Sequence, residues 1–412
     1  MDITRSQNSI KLVDGALLLL FASILLPSNI KSIAIGLFAV VSCTHFFRSG
    51  NTFNTKFFFL NSAVFTVMVF TLFYSDNLEY GVQRLIMFLS LVVFPLCFSM
   101  YSQRDINFLY RNKYKYLFSY IITVVLFNVI PFLWFYITHY SFIEMLEHFP
   151  MTMKLNVGKY GMHAIYLSMH CSVALIFSVY LLQAISTKWK IIGLIVLDLI
   201  LICFLLIYAK KGSMIGLTIV AFLFILFQRK KITIRPYLFA LIGLMVLIVA
   251  IPRTRDKFLE FKKIEAVYEG APTSTNIRYT IYNVAKDVIL DSPILGYGVG
   301  DFRSVLTDKY QELEISVLQE GGYNAHNQFL SFLIIGGVVA LLAFLSTLII
   351  NFIFAVRFNN ELLILFIIFY GILMLTDNIL EKEAGVVYFS LFFNFLTAKS
   401  LFAIPNHNGL KR

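Results

Sequence analysis

Long apolar runs separated by short polar breaks set the hydrophobic pattern of this chain. A helix needs roughly 17–25 apolar residues to cross about 30 Å of hydrocarbon. The breaks predict about twelve such spans, near residues 15–30, 32–47, 57–75, 82–100, 116–138, 163–183, 191–209, 212–228, 236–251, 327–352, 360–377 and 385–403. The first two are short enough to form one hairpin. Two connections are long. One runs from His139 to Met162; the other covers about seventy residues, from Pro252 to Ala325, and loops of that length are usually functional. In the second, Phe258, Phe261, Ile264 and Val267 recur at helical spacing within Arg253–Glu269. Ile277, Ile281, Val284, Ala285 and Val288 do so again, until Pro293 forbids continuation,. A polar helix-like piece then runs to Glu320. The pattern predicts an all-α polytopic integral membrane protein in three parts. These are spans 1–9 over residues 1–251, a large loop of short amphipathic helices over 252–325, and spans 10–12 with a tail over 326–412.

Composition agrees with a bilayer as solvent. Of 412 residues, 59% are hydrophobic and 14% charged, against about half and about a quarter in soluble domains. Lys and Arg collect in alternate connections: Arg48 and Lys56; Arg104, Arg111, Lys113 and Lys115; Lys188 and Lys190; Arg229, Lys230, Lys231 and Arg235; then Lys411 and Arg412. The positive-inside rule puts these, and both termini, in the cytoplasm. The large loop then faces the periplasm or the cell exterior. Arg5 and Lys11 precede the first run without a following cleavage site, so no removed signal peptide is expected,. The net charge of +11 reads as this bias together with contact to membrane lipid, and no nucleic-acid partner is expected. Cys43, Cys97, Cys171 and Cys203 lie in apolar runs without CxxC spacing and read as packing residues,.

A few polar groups stand out on the outer side. His326 and Asn327 open the tenth run in YNAHNQFLSF. An imidazole there can accept a proton near neutral pH, and Asn327 can orient it or cap the helix. Arg278, in NIRYTIY, has the planar fork that matches phosphate oxygens. Lys210 and Lys211 occupy an outer turn where topogenic rules disfavour cations. They either snorkel to the interface or seat a pyrophosphate. Gly296-Tyr-Gly-Val-Gly300 lacks the spacing of a nucleotide loop; it is a surface turn or a set of exposed N–H groups for an anion. Lys159, His163 and His170 flank the sixth span without a carboxylate or Cys at ligand spacing, so no metal and no cofactor are expected. Asp198 is an intramembrane carboxylate. Asp377, Glu381 and Glu383 border the eleventh span as weaker acceptor-binding candidates.

The order of RYTIYNVAKDVILDSPILGYGVGDF and AHNQFLSFLIIGGVVALLAFL resembles the O-antigen ligase and O-antigen polymerase superfamily of bacterial membrane glycosyltransferases. The resemblance implies metal-independent transfer of a glycan from an undecaprenyl diphosphate carrier to a hydroxyl, at the periplasmic face of the inner membrane. The acceptor is a lipid A–core sugar for a ligase, or a second carrier-linked glycan for an O-antigen or capsular polysaccharide polymerase; the motif texture favours the ligase. It implies catalytic roles for His326 and Arg278. Lys210, Lys211, Arg278, Gly296 and Gly298 then contact the diphosphate, with Asn327, His163 and Lys159 supporting. The family's Ser-Arg-Gly turn is Lys210-Lys211-Gly212 here, so a charge is kept while the bidentate fork is lost. A flippase or other transporter is the reading from another class, and it predicts inverted repeats and broken mid-bilayer helices that the sequence does not show.

Overall fold

The structure is a computed structural model that describes residues 3–228 and 235–401, with side chains from residue 8 onward. Of the topogenic charges, Arg5 is described only as backbone, and Arg229, Lys230, Lys231, Lys411 and Arg412 lie outside the described residues. Helices make up most of the described chain, without a β-strand. In order they are α1 (Ile3–Ser23), α2 (Ser28–Ser49), α3 (Thr55–Thr71), α4 (Leu78–Phe88), α5 (Ser90–Ser99), α6 (Gln103–Arg111), α7 (Lys113–Thr138), α8 (Phe142–Leu155), α9 (Ala164–Leu182) and α10 (Lys188–Tyr208). There follow α11 (Lys211–Gln228), α12 (Arg235–Ala250), α13 (Pro252–Leu259), α14 (Ser274–Asp291), α15 (Phe302–Glu312), α16 (Ser316–Gly321), α17 (Gln328–Arg357), α18 (Glu361–Met374) and α19 (Glu383–Leu401).

Each of the twelve apolar runs coincides with helix, but among the described residues nine helices are long and apolar enough to cross a membrane. The other three runs differ for separate reasons. The first belongs to α1, which starts earlier than expected and carries Lys11 and Asp14 among its apolar residues. Its break falls at residues 24–27, where Pro27 caps α2, rather than at residue 31. The ninth, α12, reaches span length only together with α13, across an 81° bend. The eleventh, α18, has 14 residues, about 21 Å of helix, shorter than hydrocarbon thickness.

Within the large loop the expected second helix forms as α14, burying Ile281, Val284, Ala285 and Val288. The first is shorter than its periodicity suggested: α13 ends at Leu259, and a single 3₁₀ turn follows. The loop is locked to the bundle through a break in α17. Gly336 and Gly337 leave helical geometry there, which frees the carbonyls of Ile334 and Ile335. Tyr297 and Gly298 donate their N–H groups to these carbonyls at 2.8 Å, and Val338 donates to Pro293 at 2.9 Å. The sequence did not announce this broken helix, and a break within an apolar helix persists only where such partners exist,. Gly337 (φ +58°) has no alternative, because a Cβ there would sit 2.1 Å from the Ile294 carbonyl oxygen.

This docking corrects one expectation. The N–H groups around Gly296 and Gly298 do not face an anion. They bond to Ser292 and to the α17 break, and those of Val299 and Gly300 bond to Thr71 and Ser75. The glycine run is a buried splice between loop and bundle.

Candidate active site

The segment between α18 and α19 is the scaffold of the site. Two apolar helices meet across it, and the carbonyls of Leu375 and Thr376 face α14 and the start of α17. Tyr282 on α14 places its hydroxyl 3.0 Å from the His326 carbonyl and 2.9 Å from that of Leu375. Of its two expected roles Asn327 takes the capping one: its side-chain oxygen accepts from Phe329 (2.9 Å) and Leu330 (3.2 Å), and its amide donates to the Leu375 carbonyl. His326 is left in the left-handed region at φ +43°, which for a side chain of this size is a costly conformation kept by surrounding contacts.

Asp377 joins the two residues singled out as catalytic. Its Oδ1 lies 2.9 Å from His326 Nδ1, and the Arg278 guanidinium reaches Oδ1 and Oδ2 at 3.3 and 3.2 Å. A carboxylate only accepts, so Nδ1 carries the hydrogen and Nε2 is the basic nitrogen. Arg278 is further fixed by the carbonyls of Thr376 (2.9 Å) and Ser274 (3.0 Å). These four bonds still leave it at least one N–H group.

Two hollows meet at Asp377. The first, about 340 Å³, is lined by Lys210, Lys211, Lys257 and Arg278 among apolar Ile215, Phe261, Ile264 and Leu375. The second, about 510 Å³, is polar and takes in His326, His163, Lys159, Lys154, Asn324 and Glu381. Asp377 lines both. One hollow suits an anion attached to hydrocarbon, and the other a hydroxyl-bearing molecule next to an imidazole.

The two lysines of the turn between α10 and α11 separate. Lys211 Nζ lies 2.8 Å from Glu260 Oε2 and 2.6 Å from Thr275 Oγ1, beneath the Phe261 ring. It clamps the bend after α13 onto α14. The Lys210 ammonium forms no hydrogen bond or salt bridge among the described residues and faces the first hollow. Burial lowers its pKa, Asp377 opposes that, and Arg278 adds to it. His163 caps α9, its Nδ1 accepting from Ile165 at 3.3 Å. Burial, reinforced by the ammonium groups of Lys210 and Lys154, pushes its pKa down to about 4. Lys159 is exposed on the rim of the second hollow. His170 turns away into the core to bond Tyr120 at 2.9 Å, so the two histidines share no site. Asp198 lies in α10, facing Ser178 and away from both hollows.

Sequence reasoning underrated Asp377 and passed over Glu260 and Tyr282. Asp377 had one legible signal: an acidic residue in a polar break between two almost wholly apolar runs.

A helical membrane protein with an imidazole–carboxylate–guanidinium chain between two surface hollows is the class that fold and site define. Residues 196–345 match a family model described as O-antigen ligase. The match contains Lys210, Lys211, Arg278 and His326, and it supports placement in the O-antigen ligase and polymerase superfamily. No curated protein matches the chain.

Proposed function

We propose that this chain is an O-antigen ligase-type glycosyltransferase. It moves a glycan from undecaprenyl diphosphate to a lipid A–core hydroxyl, at the outer face of a bacterial inner membrane. The observation that carries the reading is Asp377, whose carboxylate holds His326 toward one hollow and Arg278 toward the other.

In this reading the diphosphate and the first isoprene units of the donor occupy the hollow of Lys210, Lys257 and Arg278. The acceptor hydroxyl enters the polar hollow and gives its proton to His326 Nε2. Its oxygen attacks the anomeric carbon as the carbon–oxygen bond to phosphate breaks, and undecaprenyl diphosphate leaves. Attack and departure from opposite sides invert the anomeric centre. Negative charge develops on the leaving oxygen, where the spare Arg278 N–H and the Lys210 ammonium act; electrostatic terms of this kind are usually the largest in catalysis. Each charge-assisted bond contributes roughly 1.5–3 kcal/mol. Lys211 takes part indirectly, by holding Glu260 and α14 in place.

The test is transfer by purified protein in detergent, given an undecaprenyl-diphosphate-linked glycan and lipid A–core. Glycan attached to lipid A–core is the expected product. Lengthened carrier-linked chains instead assign polymerase activity. Absence of any transfer, with activity only across sealed vesicles, assigns a transporter.

A further inference from the structure

Glu381 is a buried carboxylate, 3% exposed, on the wall of the polar hollow. It had been a candidate acceptor contact, but its bonds run inward. Its Oε2 accepts from the side-chain amides of Asn324 and of Asn378 (3.1 Å). Arg84 approaches Oε1 at 3.7 Å and also donates to the Glu381 carbonyl at 2.9 Å. Arg303, on α15, lies 4.0 Å from Oε1. Asn324 and Asn378 matter because of their neighbours. Asn324 Oδ1 accepts the backbone N–H of His326 at 3.1 Å, and Asn378 directly follows Asp377.

We infer that Glu381 is the positioning residue of the His326–Asp377 pair, holding both segments that carry it through one carboxylate. The inference rests on the function proposed above and deepens it. His326 sits at φ +43°, a backbone state that relaxes unless neighbours over-determine it. Its N–H bond to Asn324 opposes that relaxation, and Asn324 is itself fixed by Glu381. Asn378, fixed by the same oxygen, restrains the turn that carries Asp377. Two arginines, from α4 and α15, supply counter-charge to Oε1 at 3.7 and 4.0 Å without hydrogen-bonding it and without reaching the reacting atoms. A glutamine has the same shape but carries its own NH₂. That group turns against Asn324 and Asn378 if it faces them, or against the two guanidiniums if it does not.

The experiment combines kinetics with exchange. Glu381→Gln, Glu381→Asp, Asn324→Ala and the Glu381→Gln/Asn324→Ala double variant are purified in detergent. They are assayed with undecaprenyl-diphosphate-linked glycan as varied donor and lipid A–core as acceptor. Displacing a catalytic group by about an ångström costs up to about 100-fold in rate. We expect kcat to fall about 10–100-fold in Glu381→Gln, donor KM to stay within about twofold, and the double variant to be no slower than the worse single variant. Hydrogen exchange at residues 322–328 should quicken in Glu381→Gln while α14 stays unchanged. Multiplicative losses in the double variant, or a fall expressed wholly in KM, overturn the inference. So does unchanged exchange at the His326 amide. If Glu381→Gln does not fold, Glu381→Asp, which keeps the charge but shortens the reach, carries both measurements. If the wild-type protein transfers nothing, the proposed function falls, and the exchange result still decides whether Glu381 holds the His326 segment.

Discussion

Asp377→Asn removes one charge from the centre of the site and keeps its shape. In the wild-type protein the carboxylate dictates that His326 Nδ1 carries a hydrogen, which leaves Nε2 free to take a proton,. An asparagine offers either an oxygen or an NH₂ at that point. When the NH₂ faces Nδ1, the imidazole changes tautomer and Nε2 becomes a donor. Even with the oxygen facing it, the imidazolium formed during transfer loses its counter-charge. General-base catalysis contributes about 10²–10⁴-fold, so kcat should fall by about that range. Arg278 keeps its anchors on Thr376 and Ser274, so donor KM should change by less than about fivefold. The Arg278–Asp377 pair is only partly screened, with side-chain exposures of 23% and 12%. The stability cost of the change is therefore about 1 kcal/mol. Initial rates against donor concentration, with thermal unfolding of the same preparations, check both parts. A variant whose kcat stays within threefold of wild type refutes the base assignment, provided that chemistry limits the rate.

His326→Ala and Arg278→Ala should abolish transfer while the protein is still made, read by immunoblot and product analysis together. Lys210→Gln should raise donor KM by about tenfold, one charge-assisted contact. Lys211→Gln should instead lower the unfolding temperature, because its partners are Glu260 and Thr275, and Lys211→Arg should be tolerated. Gly296→Ala places a Cβ 2.5 Å from the Ile334 carbonyl oxygen at φ +65°. It should cost about 1–3 kcal/mol of stability without a selective rise in donor KM, whereas a diphosphate cradle predicts the reverse. Burial and two ammonium groups favour the neutral form of His163, so it binds a proton only as pH falls toward about 4. His163→Gln should accordingly leave any inflection of the pH–rate profile between about pH 6 and 8 where it is, and a shifted inflection would assign that titration to His163.

Much of this molecule could be read from the chain because the bilayer makes the code simple. A residue facing hydrocarbon is mostly apolar and its backbone must be helical, so each run announced a helix, and the periodicity of α14 announced its buried face. His326, Arg278 and the lysine pair stood out for the converse reason: ionisable groups are rare where lipid is the neighbour. Folding alone decided how these groups are used. Hydropathy has no term for a helix broken at Gly336–Gly337 to receive another loop's N–H groups, and that contact turned the glycine run from anion cradle into splice. Nor does a residue type disclose its partner. Lys210 and Lys211 are adjacent and chemically alike, yet one meets Glu260, 49 positions later, and the other faces an open hollow. Asp377 became central because the turn after α18 lands between α14 and the start of α17. Ion pairing acts over a few ångströms in space, and only the packed chain sets which distant positions come that close.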